Sequence, residues 1–266
     1  MSQWGIEELD LDAYLKRIEV DKPNLRSVAA GHRANIPFEN VDPYIGRVPA
    51  LDLPSLQAKM VQRGRGGYCY EHNTLYAAAL ERLGIEVTRL AARTRVGGPE
   101  TVRPRTHMML LATVDGERFL TDVGFGANLL DPVPLRETTV QHGSWTFRLT
   151  REDDIWVLQL LGPEGWSDLY AFAIEHTYPA DYLMANHYTA TWQGSPFVNR
   201  LVAQSRDEDE HLVLSGTELT VKGPEGVRSQ RTLTPEQAVE TLRDQFGVEL
   251  TDAELDAVLA KLTSPA

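Results

Sequence analysis

Apolar residues recur at helical spacing through the first third of the chain. A stripe of five apolar residues predicts the first amphipathic helix: Leu9, Leu11, Tyr14, Leu15 and Ile18. A second helix is predicted over residues 24–35, because Pro37 follows it and cannot continue a helix. Residues 53–61 predict a short third helix, and residues 73–84, which follow Cys69, predict a fourth that stops at Gly84.

From residue 85 to about residue 161 the apolar period changes to two, which is typical of β-strands. Strands are predicted over residues 87–93, 107–114, 118–123, 144–149 and 155–160. The Asp115-Gly116 pair is a hairpin-turn signal between the second and third of these strands. Sequential antiparallel strands at this spacing predict a β-barrel or a strongly curved sheet.

The remainder of the chain predicts a mixture of strands and helices. Residues 171–209 show no regular pattern, whereas residues 211–215 and 218–222 predict a hairpin. Residues 234–237 form a capping box that begins a helix ending at Gly247, and Thr251 begins a last helix. Helices and antiparallel strands therefore occupy separate stretches, which predicts an α+β fold.

Composition and charge exclude several classes of protein. With 266 residues, of which 42% are hydrophobic and 24% charged, the chain has the composition of a soluble globular protein. The start of the chain is acidic and lacks the apolar stretch of a secretory signal, and no apolar run approaches the roughly 18 residues of a membrane span. The net charge of −12 argues against a nucleic-acid partner. We therefore expect a cytoplasmic protein with no membrane or nucleic-acid partner; the oligomeric state is open.

A cluster of arginines stands out in this acidic chain. Five arginines fall within 17 residues: Arg89, Arg93, Arg95, Arg103 and Arg105. Such a cluster can receive a phosphorylated ligand, because guanidinium groups bind phosphate oxygens in pairs. A solvated face of strand and loop is the commoner arrangement for such charged residues, and both interpretations stay open until the geometry is known.

Cys69, the only cysteine, is the first candidate for chemistry. A single thiol can form neither an internal disulfide nor a Cys-rich metal site, and we expect no metal. Cys69 follows two glycines and begins a predicted helix, where unpaired N–H groups and the helix dipole favour a reactive thiolate. The alternative is a small buried apolar residue, since free cysteine is among the most buried residue types.

His107 and Asp122 are the candidates for a base and its orienting partner. Pairing the two strands through the Asp115-Gly116 turn sets Val114 opposite Glu117 and Met109 opposite Asp122. His107 and Asp122 then become diagonal neighbours on one face, about 7–8 Å apart. A carboxylate in an apolar strand needs a partner, so this register predicts a hydrogen bond between the two side chains.

Four segments, in this order, resemble the arylamine N-acetyltransferases: residues 32–41, 65–73, 106–110 and 121–126. The resemblance extends over about the whole chain and includes Ser195-Pro196-Phe197. It implies an N-terminal helical bundle over residues 1–84, a central antiparallel β-barrel over 85–195 and a C-terminal α/β lid over 196–266. These three parts agree with the pattern of predicted elements.

The resemblance also implies the site residues and their roles. It implies a catalytic triad of Cys69, His107 and Asp122, in the manner of cysteine proteases, with acetyl-CoA as the acyl donor. Phe38 and Phe125 resemble the positions that line the aromatic acceptor pocket, and Phe197 is a further candidate for it. Gly124 and Gly126 resemble the loop near the coenzyme, where glycine lets backbone N–H groups approach a ligand closely.

The implied reaction is a two-step acetyl transfer. The acetyl group passes from acetyl-CoA to Cys69 and then to an arylamine, an arylhydrazine or, at oxygen, an N-hydroxyarylamine. Two alternatives remain open from the sequence. A papain- or transglutaminase-like hydrolase or amide synthase would use the same three residues, and a CoA-binding or interaction protein could carry a vestigial site.

Overall fold

The computed structural model of the chain describes residues 2–98, 102–127 and 129–264. Their α-helices are α1 (Leu11–Arg17), α2 (Leu25–Asn35), α3 (Val41–Tyr44), α4 (Leu53–Leu56), α5 (Cys69–Arg82), α6 (Pro179–Thr191), α7 (Pro196–Asn199), α8 (Pro235–Phe246) and α9 (Asp252–Thr263). A 3-10 turn spans Ile6–Glu8, and α4 continues as a π-helical stretch over Gln57–Gln62. The helices predicted from the apolar spacing are confirmed.

Two antiparallel sheets complete the fold. The strands are β1 (Phe38–Glu39), β2 (Glu86–Thr94), β3 (His107–Val114), β4 (Glu117–Thr121), β5 (Val133–Pro134), β6 (Thr138–His142), β7 (Trp145–Glu152), β8 (Ile155–Gly162), β9 (Gly165–Phe172), β10 (Val202–Arg206), β11 (His211–Ser215), β12 (Glu218–Gly223) and β13 (Gly226–Thr232). The larger sheet has the order β5-β4-β3-β2-β9-β8-β7-β6 and forms a nearly closed barrel, as predicted. The smaller sheet has the order β1-β10-β11-β12-β13.

The register of the hairpin between β3 and β4 is confirmed. Val114 pairs with Glu117 and Leu110 pairs with Thr121, which is the alignment predicted from the turn. The predicted strand over residues 118–123 included Asp122. In the structure β4 ends at Thr121, so Asp122 lies immediately after the strand. Asp122 accepts hydrogen bonds at this point, and the chain turns away from the sheet.

The prediction that residues 171–209 lack regular structure is wrong. This stretch contains α6, α7 and β10, and the sequence analysis also missed β6 and β9. The buried positions of α6 include Tyr182, Asn186 and Thr189, so helical spacing is present but is carried by polar side chains. The inner positions of edge strand β6 are Thr138, Val140 and His142, of which only Val140 is apolar.

Three buried clusters form the core. The first packs the N-terminal helices around α5, and it receives Met108 and Leu110 from one face of β3. The second fills the barrel and receives Met109 and Leu111 from the opposite face of β3. The third lies among α3, the smaller sheet, α8 and α9. β3 therefore joins the first two cores, while the division of the chain at residues 84 and 195 stays a prediction.

Across the described residues, none of the helices combines the length and the apolar character that crossing a membrane requires.

Candidate active site

The segment before α5 brings Cys69 to the first position of that helix. The Tyr68 N–H donates to Glu71 Oε2 at 3.1 Å, which caps the start of the helix. Gly66 is required on this path, because a Cβ there would lie 1.8 Å from the carbonyl oxygen of Pro37. The thiol thus lies at the helix end where free N–H groups and the dipole stabilise negative charge.

The imidazole of His107 lies between this thiol and Asp122. His107 Nε2 is 2.7 Å from Asp122 Oδ2, so the predicted hydrogen bond is confirmed. The Cys69 thiol is near enough to His107 to raise the pKa of the ring, while its own hydrogen bond goes to the Thr106 carbonyl oxygen, 3.8 Å from Sγ. Because Nε2 is engaged by the carboxylate, Nδ1 is the ring nitrogen that remains for the sulfur. The three side chains predicted to form a triad therefore lie next to one another, and His107 and Asp122 are joined by a hydrogen bond.

The attraction between opposite charges determines the pKa values of His107 and Asp122. Burial opposes a charge on His107, but Asp122 and Cys69 outweigh it and raise the pKa of the ring to about 10. Burial likewise opposes a charge on Asp122, but His107 and the surrounding N–H donors hold the pKa of the carboxyl below its usual range. At neutral pH the pair is therefore an imidazolium beside a carboxylate.

Asp122 is fixed from a second side by the helix that carries the nucleophile. Asn73 Nδ2 donates to Asp122 Oδ1 at 3.0 Å and to the Met108 carbonyl at 2.8 Å. The Gly124 N–H donates to the same Oδ1 at 2.9 Å. Asn73 was not among the predicted site residues. Its position one turn after Cys69 was the available signal that it faces the carboxylate.

Gly124 also lies directly against α5. A Cβ on Gly124 would be 2.8 Å from the Cα of Cys69 and 2.7 Å from Asn73 Nδ2. Only glycine fits this approach, so Gly124 keeps the loop after β4 in contact with the nucleophile.

A cavity of about 750 Å³ opens onto these groups. Cys69 and His107 lie on its wall, together with Phe38, Phe125 and Phe197. The wall is mainly apolar, which suits an aromatic ligand. The structure therefore places all three predicted pocket phenylalanines on one cavity with the nucleophile, and their role in binding stays a prediction.

The two predicted coenzyme glycines differ in position. Gly124 lies on the cavity wall. Gly126 has a φ of 84°, and a Cβ there would lie 2.8 Å from Gln204 Nε2, so it approaches β10. It is not among the described residues that line the cavity, and its contact with the coenzyme stays a prediction.

Aromatic side chains also enclose the imidazole. The ring centroids of Phe125 and Tyr170 each lie 4.9 Å from that of His107. These contacts leave the His107 side chain only 3% exposed, at the wall of the cavity.

Sequence analysis missed the wall supplied by the stretch around α6. The cavity residues in question are Tyr188, Thr189, Trp192, Gly194, Ser195 and Pro196. The dipeptide before Phe197, Ser195-Pro196, was the only signal that this stretch approaches the site.

A buried ionic cluster supports the nucleophile segment from behind. The fully buried Arg65 donates to Glu39 Oε1 at 2.8 Å through Nη2 and to Glu254 Oε1 at 3.0 Å through Nη1. Lys59 Nζ joins Asp42 and Glu71, the latter at 2.6 Å. The C-terminal helix α9, through Glu254, is therefore bound to a residue four positions before Cys69.

His72, the histidine nearest to Cys69 in sequence, belongs to a separate buried chain. His72 Nδ1 lies 2.8 Å from His32 Nε2, and His72 Nε2 lies 3.1 Å from the Pro37 carbonyl oxygen. Tyr14 Oη lies 2.7 Å from His32 Nδ1. Burial lowers the pKa of His72 to about 4 and that of His32 well below its usual value. Both rings are neutral and structural.

Comparisons with known proteins agree with this geometry. A family profile described as N-acetyltransferase matches residues 21–255. The arylamine N-acetyltransferase of Mycolicibacterium smegmatis is 36% identical over 258 residues, which cover 92% of this chain and 94% of that protein.

Solved structures give the same result. The arylamine N-acetyltransferase of Nocardia farcinica is 40% identical, with a TM-score of 0.93 over 98% of both chains. That of Mycobacterium marinum in complex with CoA is 33% identical, with a TM-score of 0.89 over 95% of this chain and 98% of the other.

Proposed function

The chain belongs to the arylamine N-acetyltransferase family of acyltransferases, and from that premise we propose that it moves an acetyl group from acetyl-CoA to an arylamine or arylhydrazine through Cys69. The observation that carries this proposal is the line of Cys69, His107 and Asp122 at the inner end of an apolar cavity. The free thiol on which it depends fits a reducing, cytoplasmic setting.

The first half-reaction loads the nucleophile. The Cys69 sulfur attacks the thioester carbonyl, the bond from that carbon to the CoA sulfur breaks, and the imidazolium of His107 gives its proton to the leaving thiolate. The acetyl group then rests on Cys69 as a new thioester. The Cys69 N–H, in the first turn of α5, is the expected oxyanion donor, because the Gly124 N–H is already engaged by Asp122.

The second half-reaction transfers the acetyl group from Cys69 to the acceptor. The amine nitrogen attacks the acetyl carbon, neutral His107 removes the amine proton, and the Cys69 thiolate leaves, which restores the starting ion pair. Aromatic amines suit this step because they are neutral at pH 7. Phe38, Phe125 and Phe197 would pack against the acceptor ring. An N-hydroxyarylamine would accept the same acetyl group at oxygen.

Incubation with acetyl-CoA and no acceptor tests the proposal. Intact and peptide masses should show one acetyl group on Cys69, and an added arylamine or arylhydrazine should discharge it. The Cys69→Ala variant should stay unmodified under the same conditions. No acetyl retention, together with cleavage of a peptide library, would point to the cysteine-hydrolase alternative.

A further inference from the structure

Helix α7 carries Phe197 and is only four residues long, Pro196–Asn199. A helix of this length is not stable by itself, because it has too few backbone hydrogen bonds to offset the ordering of its residues. The Arg200 N–H binds the Pro196 carbonyl oxygen at 2.9 Å, but the carbonyls that follow have no further turn to supply an N–H. The position of the Phe197 ring must therefore depend on groups outside α7.

The side chain of Asn40 binds two of these carbonyls. Asn40 Nδ2 donates to the carbonyl oxygens of Phe197 and Arg200, at 2.8 Å each. Asn40 Oδ1 accepts from the Val202 N–H at 2.6 Å. The residue is 1% exposed, and its amide makes all three bonds to the backbone of residues 197–202. A buried amide with every bond directed at one segment fixes the place of that segment.

Lys261, in the last turn of α9, binds a third carbonyl. Its Nζ donates to the carbonyl oxygens of Val198 and Tyr44, at 2.7 Å each, and lies 4.6 Å from the centre of the Tyr44 ring. Tyr44 is the last residue of α3, so one ammonium group joins the ends of two short helices. A lysine suits this place, because the last carbonyls of a helix attract positive charge.

Two side chains from other elements thus bind the backbone on which Phe197 is mounted, and this ring meets a second pocket ring. The ring centroids of Phe38 and Phe197 are 6.2 Å apart, and both residues line the cavity that holds Cys69. Asn40 lies two residues after Phe38, so it connects the backbones of both rings. A shift of α7 would therefore change the spacing of two rings on the cavity wall.

We infer that Asn40 and Lys261 are positioning residues for the acceptor, because they hold the Phe197 ring beside that of Phe38 and so determine how tightly an aromatic acceptor binds. The inference rests on the proposed function, in which an aromatic ring enters this cavity to reach the acetyl group on Cys69. Neither residue is among the described residues that line the cavity. The acetylation of Cys69 should therefore not depend on them.

Two acceptors distinguish a displaced Phe197 from a general defect. Phenylhydrazine and hydrazine both attack through a hydrazine nitrogen, but only phenylhydrazine has a ring that can contact Phe197. Lys261→Met keeps the length of the side chain and removes its donors. With saturating acetyl-CoA, this change should raise the KM for phenylhydrazine by roughly three- to tenfold, the effect of weakening one aromatic contact. The KM for hydrazine and the rate of Cys69 acetylation should change by less than about twofold.

Matched variants of the same residue type control for the loss of a lysine. Lys261→Arg keeps a donor and a positive charge and should stay near wild type. Lys16 also lies in the last turn of a helix, α1, but its side chain is exposed, so Lys16→Met should leave the KM for phenylhydrazine unchanged. Asn40→Asp replaces both donors with an acceptor and should have a larger effect than Lys261→Met. Because Asn40→Asp buries a charge and can prevent folding, the variants of the half-buried Lys261 decide the test.

A double-mutant cycle shows whether the effect passes through the ring. In a Phe197→Ala background the ring is gone, so its position no longer matters. Lys261→Met should then raise the KM for phenylhydrazine by less than about twofold further.

Three results would overturn the inference. One is an unchanged KM for phenylhydrazine in Lys261→Met, and another is an equal increase for phenylhydrazine and hydrazine. The third is an effect of Lys261→Met that is as large in the Phe197→Ala background as in wild type. Wild-type protein that acetyl-CoA does not acetylate at Cys69 is a different failure, because it contradicts the proposed function itself and with it this inference.

Discussion

At the scale of single residues, the site depends on one buried carboxylate. Asp122 accepts from His107 Nε2, Asn73 Nδ2 and the Gly124 N–H, at 2.7, 3.0 and 2.9 Å. Three donors keep a buried carboxylate ionised, and the ionised group sets both the tautomer and the charge of the imidazole. Because Asp122 engages Nε2, it is Nδ1 of His107 that is left for Cys69.

Asp122→Asn should remove the negative charge beside His107 while keeping a side chain of the same size and shape. The neutral amide no longer offsets the burial of His107, so the pKa of the ring should fall from about 10. We expect kcat for acetyl transfer to drop by about 10³–10⁴, as when the orienting carboxylate of another triad is lost. Iodoacetamide should also alkylate Cys69 more slowly across pH 6–8.

Thermal unfolding of the same variant is the control, because the change also removes a buried charge. A variant that unfolds near the wild-type temperature and keeps wild-type kcat would contradict the assigned role. Asn73→Ala should give an intermediate loss, since it leaves Asp122 with two of its three donors.

The buried pair His32 and His72 makes stability depend on mild acid. Burial is the main cause that lowers both pKa values, to about 4 for His72. Between pH 6.5 and 4 the unfolded chain binds protons at these rings and the folded protein does not. The free energy of unfolding should therefore be intact above pH 6.5 and fall as the pH falls through this window.

Urea denaturation at pH 7, 6 and 5 measures this dependence. Replacing one ring, as in His72→Gln, should reduce the slope by up to about 1.4 kcal/mol per pH unit. Equal slopes in the two proteins would show that other groups carry the acid sensitivity.

At the scale of elements, the C-terminal helix α9 supports the nucleophile segment through a single side chain. Glu254 accepts from Arg65 at 3.0 Å, Arg63 at 2.9 Å and Arg47 at 3.3 Å. Glu254→Gln leaves the buried Arg65 with Glu39 as its main partner. The free energy of unfolding should fall by about 2–3 kcal/mol in urea denaturation.

Glu240→Gln on the neighbouring helix α8 is the matched control, because Glu240 is exposed and should tolerate the change. Equal losses in the two variants would contradict a special contribution of Glu254.

Elements marked by an apolar period, a helix stop or cap, or a turn signal were predictable from the sequence. α2, α5, α8 and the β3–β4 hairpin follow period, caps and turn signals, and the hairpin register alone predicted the His107–Asp122 bond. α6 was not predictable by the same rule. It buries Asn186 and Thr189 against tyrosines beside the nucleophile and exposes Leu183 and Met184.

The buried ionic cluster behind Cys69 was also not predictable from the sequence. Arg65, Glu39 and Glu254 are separated by up to about two hundred positions, and each alone has the signature of a surface residue. Only the packed fold shows that they neutralise one another. Local chemistry around Cys69 was thus accessible from the sequence, whereas its support from distant segments was not.

At the scale of the whole molecule, separate cores meet at the cavity. Cys69 comes from α5 in the first core, His107 from β3 beside the second, and Phe38 from β1, which pairs with β10 of the smaller sheet. Residues of α6 and α7, of the segment between β2 and β3 and of the loop after β4 supply further parts of the wall. A ligand in this cavity therefore contacts residues from the helical part, from the larger sheet and from β1 of the smaller sheet at once.

Binding of the donor should consequently stabilise the molecule as one unit. Cys69→Ala can bind acetyl-CoA but cannot be acetylated, so it reports binding alone. At a donor concentration of 100 times Kd, Tm should rise by about 5–10 °C in a single transition, with citrate of equal ionic strength as the control. Two transitions, of which only one moves when the donor is added, would contradict this prediction. They would mean that the cores unfold independently of one another although they meet at the cavity.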